Sequence, residues 1–219
     1  MSAPRRASAS KIGRGLERTD LGEGAWVTWE RDFVPDHLAL MTLLAASLPL
    51  RQETIVLFGR TVAMPRLTSW HGDPGCSYVY SGRIFHPAPF TPELAGLRDR
   101  LAAREGCAFN SVLVNYYRDG QDAMGEHADD EPELGPSPDD VRIASVSLGA
   151  PRRFVLRHRR TRLVHHFELG EGSVLVMGGT TQRHFRHHLP RTRVPVAPRI
   201  NLTFRVICLP PGAGARGAR

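Results

Sequence analysis

Residues 199–205 read "RINLTFR". Ile200, Leu202 and Phe204 alternate with Arg199, Asn201, Thr203 and Arg205, so an extended chain separates them onto opposite faces. This pattern predicts a β-strand with one face in a core. The other face carries two guanidiniums and two neutral hydrogen-bonding groups. Two arginines on one strand face repel each other unless an anion lies between them. A dicarboxylate is the natural guest, because arginine pairs with carboxylate bidentately. Upstream lie further short β-rich runs: "FNSVLVNYY", "IASVSLG", "RRFVLRH", "LVHHFEL" and "GSVLVMGG", punctuated by Gly, Pro and Asp clusters. Several short strands at such spacing predict a β-sandwich, jelly roll or barrel.

Ahead of Gly106 the pattern is helical. "VPDHLALMTLLAASLPL" predicts a helix opened by Pro35 and stopped by Pro49. "TPELAGLRDRLAAREG" predicts a second, with Thr91 as cap, Pro92 in the first turn, Gly106 at the end, and Leu94, Leu97 and Leu101 as one apolar stripe. Helices followed by strands make the chain α+β, mainly β. Residues 1–24, rich in Gly, Ser, Arg and Ala, are expected to form a flexible basic arm. Residues 25–209 are expected to be the folded domain and 210–219 a disordered tail.

The chain has 219 residues, 41% of them hydrophobic, which suits one domain with an ordinary core. No apolar run approaches membrane-spanning length, and the N-terminus lacks the apolar stretch of a secretory signal. Cys76, Cys107 and Cys208 are far apart with no CxxC pair. That argues against a disulfide framework or a zinc knuckle and fits a reducing cytosol. The formal net charge of +7, carried almost wholly by arginine, nominates a polyanionic partner. Arginine-rich composition also follows from GC-rich coding, so charge alone does not decide.

Against that basic background, "MGEHADDEPE" (Met124–Glu133) concentrates acids around one histidine. His127 and Asp129, two apart, point to the same side of an extended segment and can grip one metal ion. With one distant histidine they make the facial triad of non-haem iron(II) oxygenases, which leaves coordination positions open for substrate and oxygen. Two other His-x-acid pairs compete. His71-Gly72-Asp73 sits in "HGDPG", a tight turn. His166-Phe167-Glu168 lies in a strand, but its run reaches "TQRHFRHH" after what reads as a single hairpin, leaving little room for a jelly roll. The third ligand is His184, His187 or His188, and spacing does not choose among them. Asn115 and Tyr117 in "VNYYRDG" are two further polar groups with a common direction.

Together these stretches resemble the AlkB family of Fe(II)- and 2-oxoglutarate-dependent dioxygenases, in its branch that repairs alkylated DNA. The resemblance runs from about Phe58 to Ile207. It is carried by "FGR", "PRLTSWHGD", "YVYSG", "FNSVLVNYYRDG", "GEHADDEPELG", "IASVSLGAPRRFVLRH", "GSVLVMGGTTQRHFRHHLP" and "PRINLTFR". It implies a double-stranded β-helix (jelly roll) core with the N-terminal helices packed on one sheet. It assigns Fe(2+) to His127, Asp129 and His187, and 2-oxoglutarate to Asn115, Tyr117, Arg199, Asn201, Thr203 and Arg205. O2 is the second co-substrate. Phe58, Trp70, Tyr78, Asp130 and Glu131 are implied to surround the damaged base. His188 departs from the pattern, which often has a small residue there, and "LPLRQETIV" lacks an obvious bulky apolar finger for wedging into duplex DNA.

The resemblance implies oxidative demethylation of N-alkylated bases (N1-methyladenine, N3-methylcytosine type) in DNA. 2-Oxoglutarate is decarboxylated to succinate, and the hydroxylated methyl group leaves as formaldehyde. Such lesions are cationic, so a carboxylate from Asp130 or Glu131 beside the pocket would favour them over neutral bases. Glu126 and Glu133 read as ordinary surface acids. The partner is DNA, with RNA as the alternative, and the enzyme is expected to be a cytoplasmic monomer, nucleoid-associated in a bacterium. Two other readings stand beside this one: the same oxygenase chemistry on RNA or a substrate other than nucleic acid, and a non-catalytic nucleic-acid-binding relative.

Overall fold

The computed structural model describes residues 17–57, 59–76, 78–80, 83–134 and 141–207. Among these described residues fifteen strands and three α-helices follow in chain order. A hairpin of β1 (Glu17–Gly22) and β2 (Ala25–Glu30) leads into α1 (His37–Ser47). Then come β3 (Thr54–Leu57), β4 (Arg60–Ala63), β5 (Leu67–Gly72), β6 (Tyr78–Tyr80), β7 (Arg83–Phe85) and α2 (Pro92–Glu105). The second half is β8 (Ser111–Tyr117), β9 (Met124–His127), β10 (Ile143–Gly149), β11 (Arg152–His158), β12 (Val164–Leu169), β13 (Ser173–Gly179), α3 (Thr181–His184), β14 (Phe185–Leu189) and β15 (Arg199–Arg205).

Seven strands form the larger sheet, in the order β1-β2-β13-β10-β15-β8-β5. Four form the smaller, β12-β11-β14-β9, and both are antiparallel throughout. From β8 onward the chain crosses between the sheets at every step except β11 to β12, which is the jelly-roll connection. β12 and β13 belong to different sheets, so the single hairpin read between "LVHHFEL" and "GSVLVMGG" does not form.

Two apolar layers hold this arrangement. On one face of the larger sheet, Val112, Val114, Val146, Val174, Ile200, Leu202 and Phe204 pack against Leu44 of α1 and Leu94, Leu97 and Leu101 of α2. Between the sheets, Val27, Trp29, Ile143, Leu175 and Met177 meet Phe154, Leu156, Leu169 and Phe185. The alternation of "RINLTFR" thus resolves as expected: its apolar face lies under the helices, and its polar face lies between the sheets. The helix ends also follow the sequence. Thr91 accepts the N–H of Leu94, and Gly106 closes α2 at φ +61, where a residue with a Cβ would be strained.

One expectation is corrected. The basic arm drawn over residues 1–24 includes β1, which pairs with β2 from Glu17↔Trp29 to Gly22↔Ala25, with a register shift between Asp20 and Gly22. "ERTDLG" shows no apolar alternation because it is an edge strand. It is held by its backbone ladder and by Arg18, whose guanidinium lies 4.3 Å from the Trp26 ring centre. The ends of the chain, 1–16 and 208–219, lie outside the described residues, as does Cys208.

Candidate metal and dicarboxylate site

β14 and β9 are neighbours, and His187 lies directly opposite His127 in their register. Their rings are 4.2 Å apart, centre to centre. Asp129, one residue past the His127–Ala128 peptide, turns into the same space and is 1% exposed. Its Oδ1 is 3.9 Å from His127 Nε2, and its Oδ2 is 3.6 Å from His187 Nε2. All three donor atoms lie within 4.8 Å of one another. Donors 3.9 Å apart can both sit about 2.1 Å from a common centre, the length of an ordinary metal–ligand bond. Of the three histidines that spacing left open, His187 is therefore the one that converges. His188 is on the outer face of the smaller sheet with Arg157, and His184 is three residues away in α3.

The protonation pattern suits a cation. His127 donates from Nδ1 to the Gly125 carbonyl at 2.9 Å, which leaves the Nε2 lone pair facing Asp129. Burial first, and then His127 beside it, lowers the His187 pKa to about 3, so its ring is neutral and able to ligate. Burial opposes ionisation of Asp129, but the charge of Arg205 foremost holds the carboxyl below its ordinary range. Asp129 Oδ2 and His187 Nδ1 are buried without hydrogen-bond partners. A buried carboxylate oxygen left unpaired is costly, and an ion between the three side chains removes that cost. The residues present fit a divalent metal.

Next to this triad the polar face of β15 forms the floor of a cleft of about 470 Å³, counting the part open to solvent. Arg205 is hydrogen-bonded to Asp129 Oδ1. Thr203 donates to Asn201 Oδ1 at 2.9 Å, and Asn201 donates to Ser145 Oγ at 2.7 Å. At the far end Arg199, 2% exposed, donates to Ser147 Oγ at 2.8 Å and to the Leu169 carbonyl at 3.2 Å. Burial lowers its pKa to about 10, with Tyr117 opposing. Register brings Tyr117 opposite Arg199 and Asn115 opposite Asn201. Tyr117 is pushed above the ordinary phenol range by burial, against the pull of Arg199, Arg66 and Arg152. Arg66, Arg152 and Arg199 are each no more than 8% exposed; Asp122 acts on the first two and Asp119 on Arg152, fewer carboxylates than arginines. This end of the cleft is a buried excess of positive charge, which a dianion would neutralise.

Sequence reasoning missed several of these groups. Arg66, on the turn into β5, donates to Asn115 Oδ1 at 2.8 Å and so orients it. Gln182 of α3 accepts the Asp129 N–H at 3.0 Å. Ser145 and Ser147 supply the hydroxyls for Asn201 and Arg199. Two serines spaced by two in the otherwise apolar "IASVSLG" were the available signal. The competing pairs find other work. His71 is bonded to Ser69 Oγ and the Pro89 carbonyl, each at 2.8 Å. His166 is exposed on the outer face of β12, opposite Val155.

The substrate-side residues are less gathered. Trp70 is on the site face of the larger sheet, in register with Leu113, but its indole N–H is committed to Ser111 Oγ at 2.7 Å and it does not line the cleft. Tyr78 lies in β6, paired with Phe85; its side chain, like Phe58, lies outside the described residues. Asp130 is exposed and already ion-paired with Arg159 at 2.7 Å. Glu131 differs. Burial, followed by repulsion from Asp129, raises its pKa against the pull of Arg205, and its Oε2 is buried without a partner.

A His/Asp/His set with Asp129 and His187 buried, beside a two-arginine slot inside a jelly roll, defines a non-haem metal site with room for a dicarboxylate co-substrate. The sequence pattern of the 2OG-Fe(II) oxygenase superfamily matches residues 32–205. The chain is 45% identical over 162 residues to the mouse protein named DNA oxidative demethylase ALKBH2, covering 70% of this chain and 66% of that one. For human ALKBH2 the identity is 43%, covering 71% and 61%. Human alpha-ketoglutarate-dependent dioxygenase alkB homolog 3 is 34% identical, covering 88% and 67%. The solved structure of OsALKBH1 superposes with a TM-score of 0.57 at 16% identity, over 87% of this chain and all of that one, and so shares the fold. The chain belongs to the AlkB family of 2OG-Fe(II) oxygenases. With that family comes the cofactor set: Fe(2+), with 2-oxoglutarate and O2 as co-substrates. The chain spans 57–66% of the length of the mammalian ALKBH2 proteins it matches.

Proposed function

We propose that the chain is an Fe(II)/2-oxoglutarate-dependent dioxygenase that removes methyl groups from ring nitrogens of DNA bases. The observation that carries this reading is the unpaired, buried Asp129 oxygen between two imidazoles, beside the arginines of the cleft. His127, Asp129 and His187 would hold iron. Arg199, with Asn201, Asn115 and Tyr117 around it, would take one end of 2-oxoglutarate, and Arg205 and Thr203 would take the end nearer the metal. When bound there, iron with 2-oxoglutarate and O2 would supply the oxidant that places one oxygen atom on the N-methyl group, the other going into succinate as carbon dioxide leaves; the hydroxymethyl product would then shed formaldehyde.

The protein's own part is positioning and charge. Burial keeps water away from the slot, so each Arg–carboxylate contact is stronger than it would be in solution. Glu131, adjacent to the triad and with an unpaired oxygen, is the better placed of the two acids to meet a cationic methylated base, because Arg159 already neutralises Asp130. Exposed arginines such as Arg153, Arg186 and Arg191 would hold phosphates, which position the strand without reading it. Methylated bases pair weakly and leave the stack cheaply. The names of the ALKBH2 and alkB homolog 3 relatives favour DNA as substrate, and on that reading the enzyme works wherever the cell keeps its DNA.

The test is a turnover assay with iron, 2-oxoglutarate and oxygen on oligonucleotides carrying N1-methyladenine or N3-methylcytosine. Formaldehyde and succinate should form in equal amounts. Succinate without formaldehyde would refute the dealkylase reading while leaving the oxygenase. Faster release from methylated RNA than from DNA would move the substrate.

A further inference from the structure

A second group of side chains with metal-binding chemistry lies away from the triad. Glu23, His158 and His184 bring one donor atom each within 4.8 Å of the others. Glu23 stands at the tip of the β1–β2 turn with φ +53, in the left-handed region where glycine would be unstrained. Its Oε2 is 2.9 Å from His158 Nε2 and 3.4 Å from His184 Nδ1, and its Oε1 accepts from Arg160 at 2.5 Å. The two imidazoles are stacked within 2° of parallel, and His158 meets the Phe185 ring edge-on.

The far side of His158 decides what this group does. Its Nδ1 accepts two backbone N–H groups, from Arg160 at 3.2 Å and Thr161 at 3.0 Å. A neutral imidazole has one N–H, so the proton is on Nε2 and is donated to Glu23. A metal ion there would need the Nε2 lone pair and would force a proton onto Nδ1, against two N–H groups. Arg160 adds a cation to the same carboxylate. The cluster is built as an ionic clasp rather than as a second metal site.

The clasp closes on the segment that leads into the iron site. Thr180 Oγ1 donates to the Glu23 carbonyl at 2.7 Å, and the Thr180 N–H reaches the Gly24 carbonyl at 3.4 Å. Between Thr180 and His184 lies Gln182, whose amide oxygen holds the Asp129 N–H. His187 follows three residues after His184. We propose that Glu23 is a positioning residue for the metal site: by gripping His158 and His184 it fixes α3, and through α3 it sets the placement of Asp129 and His187. This rests on the triad being the metal site. A glutamate kept where the backbone favours glycine is explained by its carboxylate.

The experiment is an anaerobic Co(II) titration of the full chain, read by visible absorption, with thermal unfolding alongside. Glu23→Gly relaxes the turn and removes the carboxylate. Its unfolding temperature should stay near the native value while its Co(II) affinity falls about fivefold and its absorption band shifts. That is below the roughly 10–100-fold typical of a group that touches a ligand directly. Glu23→Gln, which still accepts from His158, should restore affinity to within about twofold of native. His184→Phe, which keeps the ring stack without the contact to Glu23, should lower affinity as Glu23→Gly does. Unchanged affinity and spectrum in Glu23→Gly and His184→Phe would overturn the proposal. Two Co(II) per native chain, with one lost in Glu23→Gly, would overturn it in favour of a second metal site. Native Co(II) binding that His187→Ala fails to remove would refute the triad itself, an outcome distinct from both.

Discussion

Replacing Arg199 by methionine should separate the cost of burying its charge from the use made of it. The guanidinium is 2% exposed and its pKa is lowered from 12.5 to about 10. That difference corresponds to about 3 kcal/mol against the charged, empty state. Methionine removes the penalty but strands the Leu169 carbonyl and the Ser147 hydroxyl, at about 1–3 kcal/mol each. The free protein should therefore lie between about 1 kcal/mol above native and about 3 kcal/mol below it, an unfolding temperature between about 4 °C higher and about 12 °C lower in a chain of this size. Ligand response should be lost outright. At about 100 times its dissociation constant, 2-oxoglutarate with Mn(II) should stabilise the native chain by about 2.7 kcal/mol, or about 5–10 °C. Arg199→Met should show none of that rise over Mn(II) alone. Arg199→Lys, which keeps a charge but loses the planar fork, should show part of it. Differential scanning fluorimetry with and without 2-oxoglutarate reads all of these. A full ligand-induced rise in Arg199→Met would refute the co-substrate slot. A fall of more than about 12 °C in the free variant would show that Arg199 is structural.

His127→Ala or Asp129→Ala should abolish iron-dependent succinate formation and Co(II) binding; retained activity would move the site elsewhere. Arg205→Ala should raise the 2-oxoglutarate concentration for half-maximal rate by about tenfold or more and the DNA requirement far less; equal effects in steady-state kinetics would count against its role. Glu131→Gln should slow turnover on N1-methyladenine more than Asp130→Ala does, with uncoupled 2-oxoglutarate decay spared in both, and the reverse order would return the lesion contact to Asp130. Because His187 is held neutral down to about pH 3, the unfolded chain takes up a proton there that the folded, metal-free chain refuses. Stability that is full above the unfolded pKa of about 6.5 should be lost as pH falls, by about 1.5–2 kcal/mol from this residue between pH 6.5 and 5. Urea unfolding should show that share of the slope missing in His187→Ala.

The strand that frames the site was legible because its signal is local. Alternation in "RINLTFR" assigns Arg199, Asn201, Thr203 and Arg205 to one face whatever strand lies beside it. The second helix was legible for the same reason, since Thr91, Pro92 and Gly106 act within one turn. The third histidine was not, because choosing His187 over His184 and His188 depends on how β14 pairs with β9, a contact between residues sixty apart in the chain. Arg66 and Gln182 were silent for the same cause: each does its work across a pairing that composition does not announce. β1 was misread because an exposed edge strand needs no apolar face, only a backbone partner. The resemblance supplied the triad's third member, and the geometry explains why that member fits.

The pairing of His187 with His127 also makes adjacent strands answerable to one another during folding. A one-residue slip of β14 would offer His188 in place of His187, still an imidazole, so the ligand chemistry by itself would tolerate the error. The neighbours would not. The slip would drive Arg186 inward to where Phe185 now sits and expel Phe185 and Leu189 to the outside. Tandem histidines make this position ambiguous to a cation, and it falls to the greasy residues flanking them to proofread the alignment before any ion arrives.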